Sequence, residues 1–198
     1  MRSLATVEKC LSALPGGIDA YPECVHKGDP LALCLERSET SGLAERLPRE
    51  VTGLLTEGTR TPTWVPEVHA TVLYLAIREA KFVDDEAFVA HARTRNREVL
   101  DTPTNRLVFW VASPRAILRG AGLRWGSLHR GTSVDVRLMS ETSAQTTLTY
   151  PPRLFPETVL RGTATGFSAA LENAGARDVV LDVHSVSETR ATFSAEWR

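Results

Sequence analysis

Lysine is nearly missing from this sequence. Among 23 basic residues in 198, only Lys9, Lys27 and Lys81 are lysine, a bias that points to a GC-rich genome rather than to a function. Charge of one sign is missing too. The 23 basic and 24 acidic residues leave a formal net charge of −1, which argues against a chain whose main task is gripping nucleic acid. No uninterrupted apolar run approaches the roughly 18 residues of a membrane span. Glu8 and Lys9 interrupt the only apolar stretch near the start, so no signal-peptide core is present and a cytoplasmic protein is expected. Cysteine is scarce: Cys10, Cys24 and Cys34 are an odd number without a secretory signal, which favours reduced thiols. With His26 they could supply four zinc ligands, but the paired-cysteine knuckle that presents two sulfurs from one turn is lacking. Cys10 and Cys34 also fall on apolar positions, so buried thiols are expected and a metal site is not.

What is present is apolar material for one sizeable core: 42% of residues are hydrophobic and 24% charged. There is no internal repeat, no low-complexity run and no linker long enough to divide the chain, so residues 1–198 read as a single domain.

Periodicity places the elements. Residues 3–14 read as a short helix stopped by Pro15-Gly16-Gly17. An irregular piece from Ile18 to Asp29 precedes a helix opening at Pro30. Residues 42–57 are helical and divided by Pro48, and Gly58 to Thr63 is a loop. Pro66-Glu67 opens a helix with the stripe Val68, Val72, Leu75, Ala76. The next runs from Asp84-Asp85-Glu86 to Arg93, Arg95 and Arg97, acids first and bases last, as the macrodipole favours. Ser113-Pro114 caps a helix that buries Ile117, Ala121, Trp125 and Leu128. Beyond residue 130 the period falls to two. Val134–Leu138 and Thr146–Tyr150 read as a hairpin, Pro156 to Asn173 as a long helix ended by Gly175, and Val179–Val186 and Arg190–Trp197 as two further strands. Ala191, Phe193, Ala195 and Trp197 share one face of the last strand. The predicted fold class is α+β: an N-terminal helical half packed on a four-stranded antiparallel sheet, with β-β-α-β-β order in the C-terminal part.

The C-terminal combination carries a resemblance. Leu123-Arg124-Trp125-Gly126 closes a helix and His129-Arg130-Gly131-Thr132 leads into Val134-Asp135-Val136. Then come Tyr150-Pro151-Pro152, a helix with Gly162 and Ala169-Ala170-Leu171-Glu172, then Ala174-Gly175-Ala176-Arg177-Asp178-Val179, and a last strand ending Glu196-Trp197-Arg198. Upstream, Val25-His26-Lys27-Gly28-Asp29 and Thr63-Trp64-Val65-Pro66 fit the same pattern. Over residues 24–198 the chain resembles a large family of uncharacterised bacterial proteins, abundant as paralogues in myxobacteria. These in turn are similar to the ligand-binding superfamily of 4-vinyl reductase regulatory domains, haem nitric-oxide-binding domains and vesicle-transport tethering subunits. Residues 1–23 lie outside the resemblance. Many relatives carry two cysteines between the last strands, where this chain has Ser185-Val186-Ser187-Glu188-Thr189, so no metal or redox role carries over. The haem-binding branch requires a proximal histidine and a tyrosine-serine-arginine motif for the propionates, and no such motif is found here, so no cofactor is expected.

Other constellations are weighed on spacing. Ser127, His129 and Asp135 suggest a hydrolase triad, yet residues two apart on a helix diverge by about 200°, and no nucleophile elbow surrounds Ser127. His129 reads instead as a cation at a helix C-terminus. Glu67 and His69 lack the second histidine of a zinc protease. Arg106, Arg115, Arg119, Arg124, Arg130 and Arg137 against the single acid Asp135 form the one strong charge asymmetry; they read mainly as a solvated face, or as an anion site if they converge. Gly122 and Gly126, and Gly162 and Gly166, each place two glycines one turn apart, which suits close helix packing or a pocket wall.

No catalytic residue is assigned: no nucleophile–base pair, metal cluster or phosphate loop is visible, which disfavours an enzyme. The resemblance implies a sensory or regulatory module that binds an apolar or amphipathic molecule between helices and sheet, with a homodimer and a regulatory protein as partners. Trp110, Trp125 and Phe167 would line the pocket, and Arg124 and His129 would supply polar contacts at its mouth. The alternative is a protein–protein interaction module with a filled core.

Overall fold

The computed structural model describes residues 4–36, 42–56, 62–101 and 109–198. Its order is α1 (Ala5–Ala13), a 3-10 turn (Gly17–Asp19), β1 (Val25–Lys27), α2 (Gly28–Glu36), a second 3-10 turn (Ala44–Arg46), α3 (Arg49–Thr56), β2 (Trp64–Pro66), α4 (Glu67–Lys81) and α5 (Asp85–Leu100). There follow α6 (Pro114–Arg119), α7 (Ala121–Leu128), β3 (His129–Arg130), β4 (Ser133–Leu138), β5 (Ser143–Thr149), α8 (Glu157–Asn173), β6 (Val180–Val186) and β7 (Arg190–Glu196).

The α+β expectation agrees with this order. Four strands form an antiparallel sheet in the order β4-β5-β7-β6. One face of β7 is closed to water, with Ala191, Phe193, Ala195 and Trp197 all at most 7% exposed. Beside them on β5, Ala144, Thr146 and Leu148 are buried in the same alternation. The small side chains let α8 approach the sheet, and Gly175, with φ +90°, ends the helix in the left-handed conformation that glycine adopts freely.

A second sheet is not announced by the sequence pattern. Its order is β2-β1-β3, all antiparallel. Val25-His26-Lys27 and Trp64-Val65-Pro66 are three residues each, too short to show a period of two. Arg130 lies over the Trp64 ring, 4.0 Å from guanidinium carbon to centroid, and ties β3 to β2.

The helix expected after Ser113-Pro114 is two helices, α6 and α7, divided at Gly120, where the chain turns. Ser113 caps the first by accepting from the Ala116 amide. The turn brings α7 onto β4 so closely that a Cβ on Gly122 would stand 2.8 Å from the Val134 carbonyl oxygen, whereas Gly126 faces open space. Only the first of that glycine pair is required by packing. Helix α4 is buried nearly all round, with Val68, Ala70, Val72, Leu73, Leu75 and Ala76 at 0% exposure, as suits a helix at the centre of a core. The loop expected at Gly58 to Thr63 falls largely outside the described residues, as does Arg106.

Candidate functional site

Helices α4 to α8 do not fill the space between them. A cavity of about 600 Å³, partly open to solvent, is bounded by α4, α5, α6, α7 and α8, by residues 109 and 112, and by His26 of β1 and His129 of β3. The volume lies within the range of small-molecule sites. No residue of the four-stranded sheet reaches the wall, because α8 covers that sheet's apolar face. The expected place for a pocket, between helices and large sheet, is thus shifted to the space among the helices, closed at one end by the small sheet.

The wall is apolar over most of its extent. Tyr74 and Ile77 come from α4, Phe88, Ala92 and Val99 from α5, Ile117 and Leu118 from α6, Ala121, Trp125 and Leu128 from α7, and Val159, Phe167 and Ala170 from α8. Gly162 and Gly166 also line it, and both meet α5: a Cβ on Gly162 would be 3.6 Å from Phe88, and one on Gly166 3.6 Å from Asn96. Packing and pocket wall are the same feature here. The α5–α8 contact is fixed by polar bonds. Asn96 Nδ2 donates to Thr165 Oγ1 at 2.7 Å, Thr158 Oγ1 donates to Asp85 Oδ2 at 2.6 Å, and Arg93 and Arg97 both hold Glu172.

One end of the cavity is polar. Glu67, the first residue of α4, is only 3% exposed, and its Oε2 lies 3.2 Å from His129 Nδ1. The His129 ring lies flat on Trp125, 3.8 Å between centroids and 8° between planes, and edge-on to His26 at 4.7 Å. Trp125 Nε1 donates to Thr132 Oγ1 at 2.9 Å, which fixes the indole. One turn along α4, the Thr71 hydroxyl is 1% exposed and has no hydrogen-bond partner among the described residues, and neither has His26 Nδ1. Burial pushes the His26 imidazole below the ordinary histidine range; Glu67 pulls it up and His129 down.

Of the expected site residues, Trp125, Phe167 and His129 meet: Trp125 stacks on His129 and lies 6.3 Å from Phe167. Arg124 lines the cavity at its exposed rim. Trp110 does not join them. It is 82% exposed and absent from the wall, to which its neighbour Phe109 contributes instead. The arginines after residue 110 disperse: Arg115 pairs with Glu141 and Arg130 covers Trp64. Ser127 Oγ donates to the Arg124 carbonyl, and His129 turns to Glu67 rather than to Asp135, so the triad is not assembled. Sequence reasoning does not reach His26, Glu67 and Thr71 as site residues. The available signal is a carboxylate set among Val65, Val68 and Ala70; nothing in the spacing joins residue 67 to residue 129.

Among the described residues, no three of His, Cys, Asp and Glu are grouped to hold a metal ion. Cys10 and Cys24 are buried, and burial pushes both thiols up to about 11; the Cys34 side chain lies outside the described residues. No helix among them is long and apolar enough to cross a membrane.

With this geometry in view, the comparisons bear on the fold. No family model and no curated protein sequence matches the chain. Solved structures do. A structure from work on heme distortion in the H-NOX family superposes with a TM-score of 0.59 at 6% identity, covering 87% of this chain and 95% of that one. A point mutant of T. tengcongensis H-NOX gives 0.58 at 7% identity, covering 87% and 97%. Fe(II) unliganded H-NOX from K. algicida gives 0.55 at 12% identity, covering 85% and 96%. The chain has an H-NOX-like fold along most of its length.

Histidines wholly or partly sheltered from water make stability depend on pH. His26, His69 and His91 are all held below their ordinary value of 6.5, burial being the largest cause in each. Below about pH 6.5 the unfolded chain takes up protons that the folded one refuses, so stability is lost as pH falls from about 7 to 5. Glu79, Asp85 and Glu172, held below the ordinary carboxylate range, act only in a lower window. Thermal melts between pH 8 and 5 should show a falling Tm, and His26→Gln should flatten the slope; a level Tm would contradict the assignment.

Proposed function

We propose that this chain is a sensory or regulatory binding module. It takes a small apolar or amphipathic molecule into the cavity among α4 to α8, and occupancy biases its contact with a regulatory protein partner. The single observation that carries this is the cavity itself: about 600 Å³ of space with an apolar wall and a converging polar end, in a fold shared with H-NOX domains. A space of that size does not favour the filled-core interaction module. In this reading Trp125 and Phe167 form the wall, His129 contributes at the polar end and Arg124 at the rim. The chain works in the cytoplasm as one domain and as a homodimer, and the resemblance to the myxobacterial paralogues belongs to the same proposal.

Haem, which the first of the similar structures concerns, finds a poor set of partners in this cavity. An axial imidazole needs a free nitrogen with open space around it. The Glu67 contact at Nδ1 is no obstacle by itself, since metal-bound imidazoles commonly carry such a carboxylate, but the His129 ring is stacked on Trp125 and edge-on to His26, which a macrocycle across it would have to displace. His91 lines the cavity from α5, with its ring packed on Phe82 at 5.0 Å between centroids. A haem also brings two propionates, whereas the polar end of this cavity carries the buried Glu67 and Arg95 is paired with Glu98, which leaves Arg124 at the rim to meet them.

Native mass spectrometry of freshly purified protein tests the reading. A small-molecule adduct should survive gentle activation and be released on denaturation. Ala170→Trp, which puts an indole into the cavity from α8, should cut the bound fraction at least about tenfold while the variant still melts cooperatively. Protein that carries no adduct and takes up no apolar fluorescent probe would remove the proposal.

A further inference from the structure

We infer that the cavity wall made by residues 109–128 docks its outer side against an anionic lipid bilayer, with the rim at Arg124 beside the membrane surface. This wall is a single layer. Phe109, Ala112, Ile117, Ala121, Trp125 and Leu128 present its inner side to the cavity. Its outer side faces solvent with large apolar groups: Trp110, Val111 and Leu123 are 82%, 72% and 86% exposed. Leu123 lies two residues from Trp125 on α7, which turns it about 200° from the indole and so away from the cavity. Single exposed apolar side chains are ordinary on a protein surface; three of this size in one wall, an adjacent Trp-Val pair among them, call for a partner.

The charge on the wall has one sign. No aspartate or glutamate occurs between Asp101 and Asp135, whereas Arg115 and Arg119 fall on α6 and Arg124 on α7. Arg115 is neutralised by Glu141 of the turn between β4 and β5. Arg119 and Arg124 are exposed and have no ion-pair partner among the described residues. In a chain whose formal net charge is −1 this is a local cationic surplus.

The two features together select the partner. An anionic bilayer attracts the guanidinium groups, and its interfacial zone takes up tryptophan and leucine side chains while arginine stems lie along the apolar boundary. A nucleic-acid duplex matches the arginines, but its phosphate backbone buries neither Val111 nor Leu123. A second copy of the wall matches the apolar groups but sets arginines against arginines. Docking does not depend on what the cavity holds. On the binding-module reading, and resting on it, docking also sets the cavity beside the phase into which an apolar ligand partitions.

The test is co-sedimentation of the full chain with vesicles of phosphatidylcholine, alone or with about one quarter phosphatidylglycerol. The anionic vesicles should bind at least about tenfold more tightly, and less so as salt is raised. Leu123→Glu, at a site too exposed to disturb the melting temperature, should cut that binding at least about tenfold, and Arg119→Gln about fivefold. Trp110→Phe should still bind but lose the blue shift of tryptophan emission that the parent shows on anionic vesicles. Absent binding, equal binding to neutral and anionic vesicles, or binding untouched by Leu123→Glu would overturn the inference. So would tighter binding to a short DNA duplex, or a dimer abolished by Leu123→Glu without vesicle binding. Vesicle binding by protein that takes up no apolar probe would uphold the docking and remove only the cavity reading.

Discussion

Replacing Gly131 by alanine should lower the melting temperature by about 10 °C. Gly131 sits between β3 and β4 with φ +75°, a conformation that costs an L-residue about 1–2 kcal/mol. A Cβ there would lie 2.4 Å from Cys24 Sγ and 2.9 Å from Cys24 Cα. The sulfur can shift, but the Cα belongs to the chain that enters β1, and the Cys24 carbonyl accepts the Glu67 amide at 2.9 Å. Strain and clash together cost about 3–4 kcal/mol, and each kcal/mol moves Tm by about 2–4 °C at this chain length. Because Cys24 precedes His26 by two residues and anchors Glu67, the substitution should also weaken ligand uptake. Gly126→Ala supplies the contrast. Its Cβ meets nothing within 4 Å on α7, so it should leave stability unchanged or raise it by about 0.5–1 kcal/mol. Differential scanning calorimetry of the two variants beside the parent checks both; equal melting temperatures would show that Gly131 is not held as described.

Phe193→Ala should be comparably damaging. Phe193 is 1% exposed on the buried face of β7, among the largest wholly enclosed side chains, and truncation of such a phenylalanine costs about 3–5 kcal/mol. It also supports the cavity wall, for its ring lies 5.9 Å from that of Phe167, which in turn faces Trp125. Phe167 is only half-buried and lines open space, so Phe167→Ala should cost much less stability. The two variants should therefore separate: Phe193→Ala lowers the denaturant midpoint strongly, whereas Phe167→Ala mainly changes probe affinity. Similar unfolding midpoints for both would mean that the sheet face and the cavity wall are not distinct layers.

The C-terminal half is legible in the sequence because its elements are long and their patterns regular. Seven-residue strands such as Arg190–Glu196 show repeated alternation, and α8 begins and ends on clear proline and glycine signals. The small sheet escapes because three residues cannot display a period, and Pro66 reads equally well as the start of a helix. The division at Gly120 escapes for a related reason: one glycine within an apolar stripe signals a weak point but not a change of direction. At the site, Trp125 and Phe167 are found because an aromatic residue on a helical stripe ordinarily faces the interior. Trp110 carries the same local signal, and its exposure depends on where the segment lies, which no local pattern encodes. Glu67 looks like an ordinary first-turn acid; its burial follows from β1 and β3 arriving beside it.

The pairing of β1 with β2 and β3 has a consequence for how this molecule assembles. It brings residue 25 beside residue 66 and also beside residue 130, so three stretches distant along the polypeptide must all arrive before the cleft acquires its hydrogen-bonding terminus. Such long-range closure is slow relative to helix formation. An N-terminal fragment ending at Leu100 would have α4 and α5 yet neither His129 nor α8, and therefore no enclosure at all. During synthesis, the chamber becomes competent only after the last of its walls has left the ribosome.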